Sequence, residues 1–243
     1  MYDVARVIDD IGDESAGDRT VALTRFQEDL ARAWQGEPDE PVLRGLVPVI
    51  RARGLDREPF DRLVRANLAD QVVARYATQA DLERYCELSA NPVGRIVLRI
   101  FGVRSPEAER LSDLVCTALQ LIEHCQDVAE DRRNGRVYLP QEDLEAFGAT
   151  EEDLDAPHAN VALRRVVALQ ARKALGRLAE GRALVGLLHG WARLAIAGYV
   201  AGGLATVDAL RRAGWDVLAA TPRPRKRDVL FHLVTLLLRG GRR

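Results

Sequence analysis

Aromatic residues are scarce in this chain of 243, at 5% of positions, and so are the alternating runs that build a half-buried strand. No period-two segment longer than four residues stands out, which argues against a sheet. A charge of one sign is missing too. The 35 Lys and Arg balance 36 Asp and Glu for a formal net charge of −1, leaving no basic surplus to neutralise a nucleic-acid backbone. Only three cysteines occur, Cys86, Cys116 and Cys125. Odd in number and without metal-ligand spacing, they fit a reducing cytosol. The opening MYDVARVIDD has neither the basic leader nor the apolar run of an export signal. The longest uncharged run, Leu194 to Val207, is short for a membrane span and holds three glycines, so it reads as a buried core helix. A glycine-rich nucleotide fingerprint after a strand is also lacking.

What remains is a helix-forming sequence. Apolar residues make up 47% of the chain, enough for a substantial core, and Ala, Leu, Val and Arg dominate. Apolar positions recur at three- and four-residue steps over 4–35, 42–54, 60–77, 79–101, 106–132, 158–188, 190–213 and 226–239. Gly36, Gly54 and Asn134-Gly135 supply stops, Thr78 and Asp81 suit a cap, and Asn91-Pro92 predicts a kink inside its helix. Residues 140–157, rich in acids and prolines, read as loop with one short helix. The expected architecture is an all-α, single-domain helical bundle over 1–243, with 222–243 a basic C-terminal helix and tail.

Two stretches concentrate chemistry. In RVIDDIGDE, Asp9 and Asp13 are four residues apart, so a helix projects both carboxylates from one face; Asp10 and Glu14 sit a step round. In LIEHCQDVAEDRRNGRVYLP, Asp127 and Asp131 repeat the spacing beside Leu119, Leu121, Ile122 and Val128. Each stretch alone is a weak signal, since acidic pairs at helical spacing usually make a solvated face. Together, on apolar-backed helices, they suggest a cleft with carboxylates on both walls. Hard divalent cations relieve such repulsion, and Mg²⁺ in particular bridges carboxylates to a substrate's phosphates. Arg6, Arg132, Arg133 and Arg136 suit a diphosphate partly held by metal. An EF-hand is a worse fit, because the acids do not alternate as its loop requires.

These stretches resemble the two aspartate-rich motifs of the squalene and phytoene synthase family, the head-to-head trans-isoprenyl diphosphate enzymes. The intervening RYATQADLERYCELSANPVGRIVLRIFG is similar to that family's middle helix. Its SANPVGR wording, with Gln126 ahead of Asp127, resembles the bacterial hydroxysqualene synthase branch. The resemblance implies the isoprenoid-synthase fold over about 2–230 and a prenyl diphosphate substrate. For that branch the reaction is ionisation of presqualene diphosphate, with water capturing the cation to give hydroxysqualene. It implies Mg²⁺ on Asp9, Asp13, Asp127 and Asp131. Arg6, Arg132, Arg136 and Gln126 would lie at the substrate with Tyr138, and Asp70 and Tyr85 are matching polar positions of the middle region. Glu123 stands where many relatives carry asparagine and could add a metal ligand. The family's first helix, which normally precedes the first motif, is expected to be missing or to lie upstream. A presqualene diphosphate synthase and a downstream reductase are the implied functional partners.

Three other features stay open. His124 faces away from Asp127 and suits packing or exposure better than substrate, while His158, His189 and His232 are isolated. Gly198, Gly202 and Gly203, near Trp191 and Tyr199, fit either close helix packing or room for a prenyl chain. Arg223, Arg225, Lys226 and Arg227 ahead of VLFHLVTLLL fit either a core helix with a basic tail or peripheral contact with an anionic membrane. Two competing functions also stand: a prenyl-transferring relative and a non-catalytic family member.

Overall fold

The computed structural model describes residues 2–13 and 15–239. Glu14 of the first acidic stretch and residues 240–243 of the basic tail lie outside the described residues. Among the described residues the chain is all-α, as the periodicity predicts, with one isolated parallel bridge between Arg75 and Val137. It divides into two compact units, Met1–Val73 with Tyr85–Glu109, and Ala74–Arg84 with Arg110–Arg243. The unit boundary falls within two of the helices, which periodicity alone does not register.

The first unit holds α1 (Tyr2–Asp13), α2 (Arg19–Ala33), α3 (Pro41–Arg53), α4 (Glu58–Asp70), the end of α5 (Gln79–Ser89) and α6 (Asn91–Ile100). Helix α1 packs on α2, α3 and α4 through Val4, Ile8 and Gly12, its buried residues at four-residue steps. Burying Ile8 completely contributes roughly 1.5–3 kcal/mol, and it fixes the rotation of α1 that turns Asp9 and Asp13 outward. The expected helix over 4–35 is broken at residues 15–18. Gly17 takes φ +89°, and the Asp18 carboxylate caps α2 by accepting from Val21 N at 3.1 Å. The kink expected at Asn91-Pro92 is a full break at Ala90, with Pro92 in the first turn of α6, where a proline lacks no needed N–H.

The second unit begins with residues 74–84. It continues, from Arg110 on, through α7 (Pro106–Gln126), α8 (Val128–Arg133), α9 (Gln141–Phe147), a 3₁₀ turn (Glu152–Asp155), α10 (Val161–Gly181), α11 (Leu184–Leu187), α12 (Gly190–Arg212) and α13 (Lys226–Arg239). The continuous helix expected over 106–132 is interrupted at Asp127, whose φ −101° and ψ 15° leave the helical well. Helix α12 is long and apolar enough by composition to cross a membrane, yet 56% of that window is buried.

Glycines decide how closely these helices approach. A Cβ on Gly203 would lie 2.5 Å from Leu119, while Gly198 and Gly202 face open space, so close packing and room coexist on one helix. At Gly181 a Cβ would meet Val115 N at 3.1 Å and Leu111 O at 3.2 Å, backbone atoms that cannot step aside. Gly181→Ala is therefore expected to lose about 1–3 kcal/mol in urea unfolding. Gly198→Ala and Gly202→Ala should be neutral or gain up to ~1 kcal/mol of helix propensity. Equal losses at all three positions would contradict this packing.

Candidate functional site

Each acidic stretch forms a defined cluster within its own unit. On α1, Asp9 touches solvent, but the protein around its carboxyl raises its pKa. A hydrogen bond from Asn67 offsets this, and Asp13 and Asp10 push it up further. Asn67 Nδ2 donates to Asp9 Oδ1 at 3.1 Å, and Gln71, one turn on, donates to the Gly12 carbonyl at 3.1 Å. Gly12 makes this approach feasible, because a Cβ there would collide with the Asn67 amide oxygen. Asn67 carries no signal in the sequence: it is a lone amide on an amphipathic helix, 58 residues from its partner. Arg6 lies near Asp10, with Nε 3.8 Å from its carboxylate, a surface pairing of little energetic weight. Tyr85 donates its hydroxyl to Asp70 at 2.7 Å, tying α5 to α4.

The second cluster sits where α7 passes into α8. Asp127 N donates to Glu123 O at 3.0 Å and Asp131 N to Asp127 O at 2.8 Å. The four-residue relation of the two aspartates therefore survives the irregular turn. Val128 beneath them is buried. Burial pushes Asp131 up to about 7, with Asp127 the next contributor and Arg136 pulling the other way. Asp127 is raised by burial and by Glu130. Glu123 is exposed one turn before Asp127.

Beyond the aspartates the expected residues divide. Arg132, expected at the substrate, is engaged by two acids: it donates to Asp155 at 2.8 and 2.7 Å and to Glu151 at 2.8 Å. Glu151 is held from its other side by Arg75 at 2.6 and 2.9 Å. Arg133 donates to the Ala129 carbonyl at 3.1 Å. Gln126 donates to the Pro222 carbonyl at 2.6 Å, anchoring the segment ahead of α13. Arg136 stays beside Asp131, its N–H donating to the Asp131 carbonyl at 2.8 Å after a turn at Gly135 with φ +79°. Tyr138 is buried and stacked between His124, with centroids 3.9 Å apart, and Tyr76 at 5.6 Å. His124 is buried in this stack; burial, with Arg136, drives its pKa down to about 3. None of the three cysteines is in a disulfide, and burial pushes Cys125 up to about 12.

Among the described residues no three Asp, Glu, His or Cys side chains gather closely enough to enclose a metal. Mg²⁺, which keeps several waters and takes one or two carboxylates, does fit paired oxygen donors such as Asp127 and Asp131, whose mutual repulsion a cation would relieve.

Fold and site together define an all-α protein of the isoprenoid-synthase type, with two aspartate-paired helical turns. The chain belongs to the squalene/phytoene synthase family, whose model matches residues 1–229. It is 35% identical over 195 residues to hydroxysqualene synthase of Zymomonas mobilis, covering 78% of this chain and 64% of that protein. It is 34% identical over 182 residues to presqualene diphosphate synthase of Rhodopseudomonas palustris, covering 74% and 65%. The chain thus spans just under two-thirds of the length of these relatives. The crystal structure of squalene synthase HpnC from Alicyclobacillus acidocaldarius superposes with a TM-score of 0.83 at 46% identity, covering 88% of this chain and 81% of that one. A dehydrosqualene synthase shares the fold, at a TM-score of 0.86 and 22% identity.

The raised pKa of Asp131 has a signed consequence for the metal-free protein. A carboxyl at about 7 in the folded state and near 3.9 when unfolded destabilises the fold fully above pH 7. The penalty fades as pH falls towards 4. Asp131→Asn should therefore raise the melting temperature in chelator at pH 8, by an amount that shrinks through this window and vanishes near pH 4. A gain that is flat across the range would show that Asp131 is not held in this state.

Proposed function

We propose that this protein is an Mg²⁺-dependent hydroxysqualene synthase. The C–O bond of presqualene diphosphate breaks with the electron pair leaving on diphosphate. A water oxygen then bonds to the cation and gives up a proton, yielding hydroxysqualene. The observation that carries this reading is the Asp127–Asp131 pair, kept together at a half-buried turn with Arg136 alongside. Asp9 and Asp13 on α1 would serve with them as the metal-holding carboxylates, with Glu123 a further candidate. Mg²⁺, when bound, supplies positive charge to the departing diphosphate, the group whose stabilisation governs such an ionisation. Arg136 and Arg6 would bind phosphate oxygens, and the stacked, buried Tyr138 fixes the strand of chain that carries Arg136. The cation must meet apolar walls and one admitted water, and a chain rich in Val, Leu and Ile with few aromatics has the side chains for such walls. The similarity to the Zymomonas hydroxysqualene synthase supports the choice of reaction. A hopanoid or related triterpene route, with a presqualene diphosphate synthase upstream and a reductase downstream, would supply and consume these compounds.

A second reading, formation of presqualene diphosphate or another prenyl transfer, draws on the nearly equal likeness to the Rhodopseudomonas presqualene diphosphate synthase. Purified protein given farnesyl diphosphate alone, or presqualene diphosphate alone, separates the two. Hydroxysqualene from the second substrate only is expected; product from farnesyl diphosphate alone would overturn the first reading, and none from either would mark a non-catalytic chain. Asp9→Ala and Asp127→Ala should each cut turnover by about two to three powers of ten or more while the melting transition persists. Retained activity in both would refute the metal-bound diphosphate.

A further inference from the structure

Helix α13 turns an apolar side to water. Its inner side is anchored on α12: His232 Nε2 lies 2.8 Å from the Asp208 carboxylate, Arg212 donates to Asp228 at 2.6 Å, and Arg193 donates to the Leu237 carbonyl at 2.7 Å. Leu236 is buried on that side. On the opposite side Leu230, Phe231, Val234 and Leu238 recur at three- and four-residue steps, exposed by 60, 68, 46 and 70%. Arg227 begins the same stripe, and Arg223, Arg225 and Lys226 are exposed just ahead of it. The one acid between 223 and 239 is Asp228, already engaged by Arg212 and Arg227.

Scattered exposed apolar residues are ordinary, but a continuous stripe along one helix marks a surface that something covers. The charge selects the occupant. A basic cluster leading an apolar helical stripe matches anionic headgroups above acyl chains, whereas a second copy of α13 would bring the same cations and no available acid. At 14 residues the helix is about 21 Å long, too short to cross a bilayer and suited to lying along one. We propose that α13 lies in the headgroup layer of an anionic membrane. Leu230, Phe231, Val234 and Leu238 face the acyl chains, and Arg223, Arg225, Lys226 and Arg227 face lipid phosphates. The inference stands independently of the reaction assigned above.

Co-sedimentation of the full chain with vesicles tests it. Vesicles of phosphatidylcholine with about one-third phosphatidylglycerol should bind at least about tenfold more protein than phosphatidylcholine alone, with the difference lost in high salt. Arg227→Gln should weaken binding to the anionic vesicles about fivefold, the equivalent of ~1 kcal/mol per basic residue. Leu230→Ser with Phe231→Ser should weaken it tenfold or more with helix content unchanged by circular dichroism; if that pair misfolds, Phe231→Ser alone provides the reading. Equal binding to both vesicle types, or none to either, would overturn the proposal. So would a dimer in light scattering that the same apolar substitutions dissolve, in the absence of vesicle binding, since a second copy would then be the occupant.

Discussion

Two carboxylates one helical turn apart and partly withdrawn from water repel each other, and this fold holds Asp127 and Asp131 in that relation anyway. Local geometry makes it feasible. Asp127 leaves the helical well, but the hydrogen bonds on either side of it, to Glu123 and from Asp131, keep the turn intact. Leu121, Ile122, Cys125 and Val128 are buried beneath, so the turn cannot roll outward to hydrate both acids without exposing a core. The unresolved repulsion is visible in Asp131, raised to about 7 by burial and then by Asp127. A carboxylate held in that condition takes up a proton more readily than one in water. Asp9 meets the same problem more gently, because it stays open to solvent and Asn67 donates to it.

The arginines that follow the second pair divide the remaining work. Arg132 closes a chain of charges, Arg75 to Glu151 to Arg132 to Asp155. Its fork satisfies two acids at once, the geometry to which guanidinium is suited. Around this the segment at 74–77 is laced to the loop after α8: Val137 N donates to Ala74 O at 2.9 Å, Gln141 N to Tyr76 O at 2.9 Å and Glu142 N to Ala77 O at 3.0 Å. The loop is thereby fixed at both ends of its Arg136-to-Tyr138 stretch. Arg136 follows directly after Gly135, its backbone N–H on the Asp131 carbonyl. Arg136 is thus positioned by a turn that its neighbours' ion pairs and backbone hydrogen bonds hold.

Period and spacing made the helices and the four aspartates legible, because both are written in local steps of three and four residues. The break at 15–18 escaped the period, since the apolar steps of α1 and α2 happen to continue across it; Gly17 and the capping Asp18 were the signals. The interruption at Asp127 left no trace in composition. Partners were the least legible feature. Arg132 finds Glu151 and Asp155 at 19 and 23 residues' distance, Asn67 finds Asp9 at 58, and Gln126 finds Pro222 at 96. A run such as DRRNGR shows that basic residues are available, while which of them is already committed depends on acids brought in by tertiary folding.

Hydropathy misleads in the same way at the other end of the chain. Helix α12 has the length and apolar character of a membrane span, yet most of that window is covered and Gly203 lets Leu119 press against its backbone. Helix α13 is shorter and leaves Leu230, Phe231, Val234 and Leu238 in the open. What distinguishes them is which neighbours each helix engages. The glycine of α12 admits another helix closely, whereas Asp208 and Arg212 grip only one side of α13. An apolar residue's exposure is therefore set by where the polar anchors of its helix are fastened, and on α13 the side opposite those anchors is the one that meets solvent.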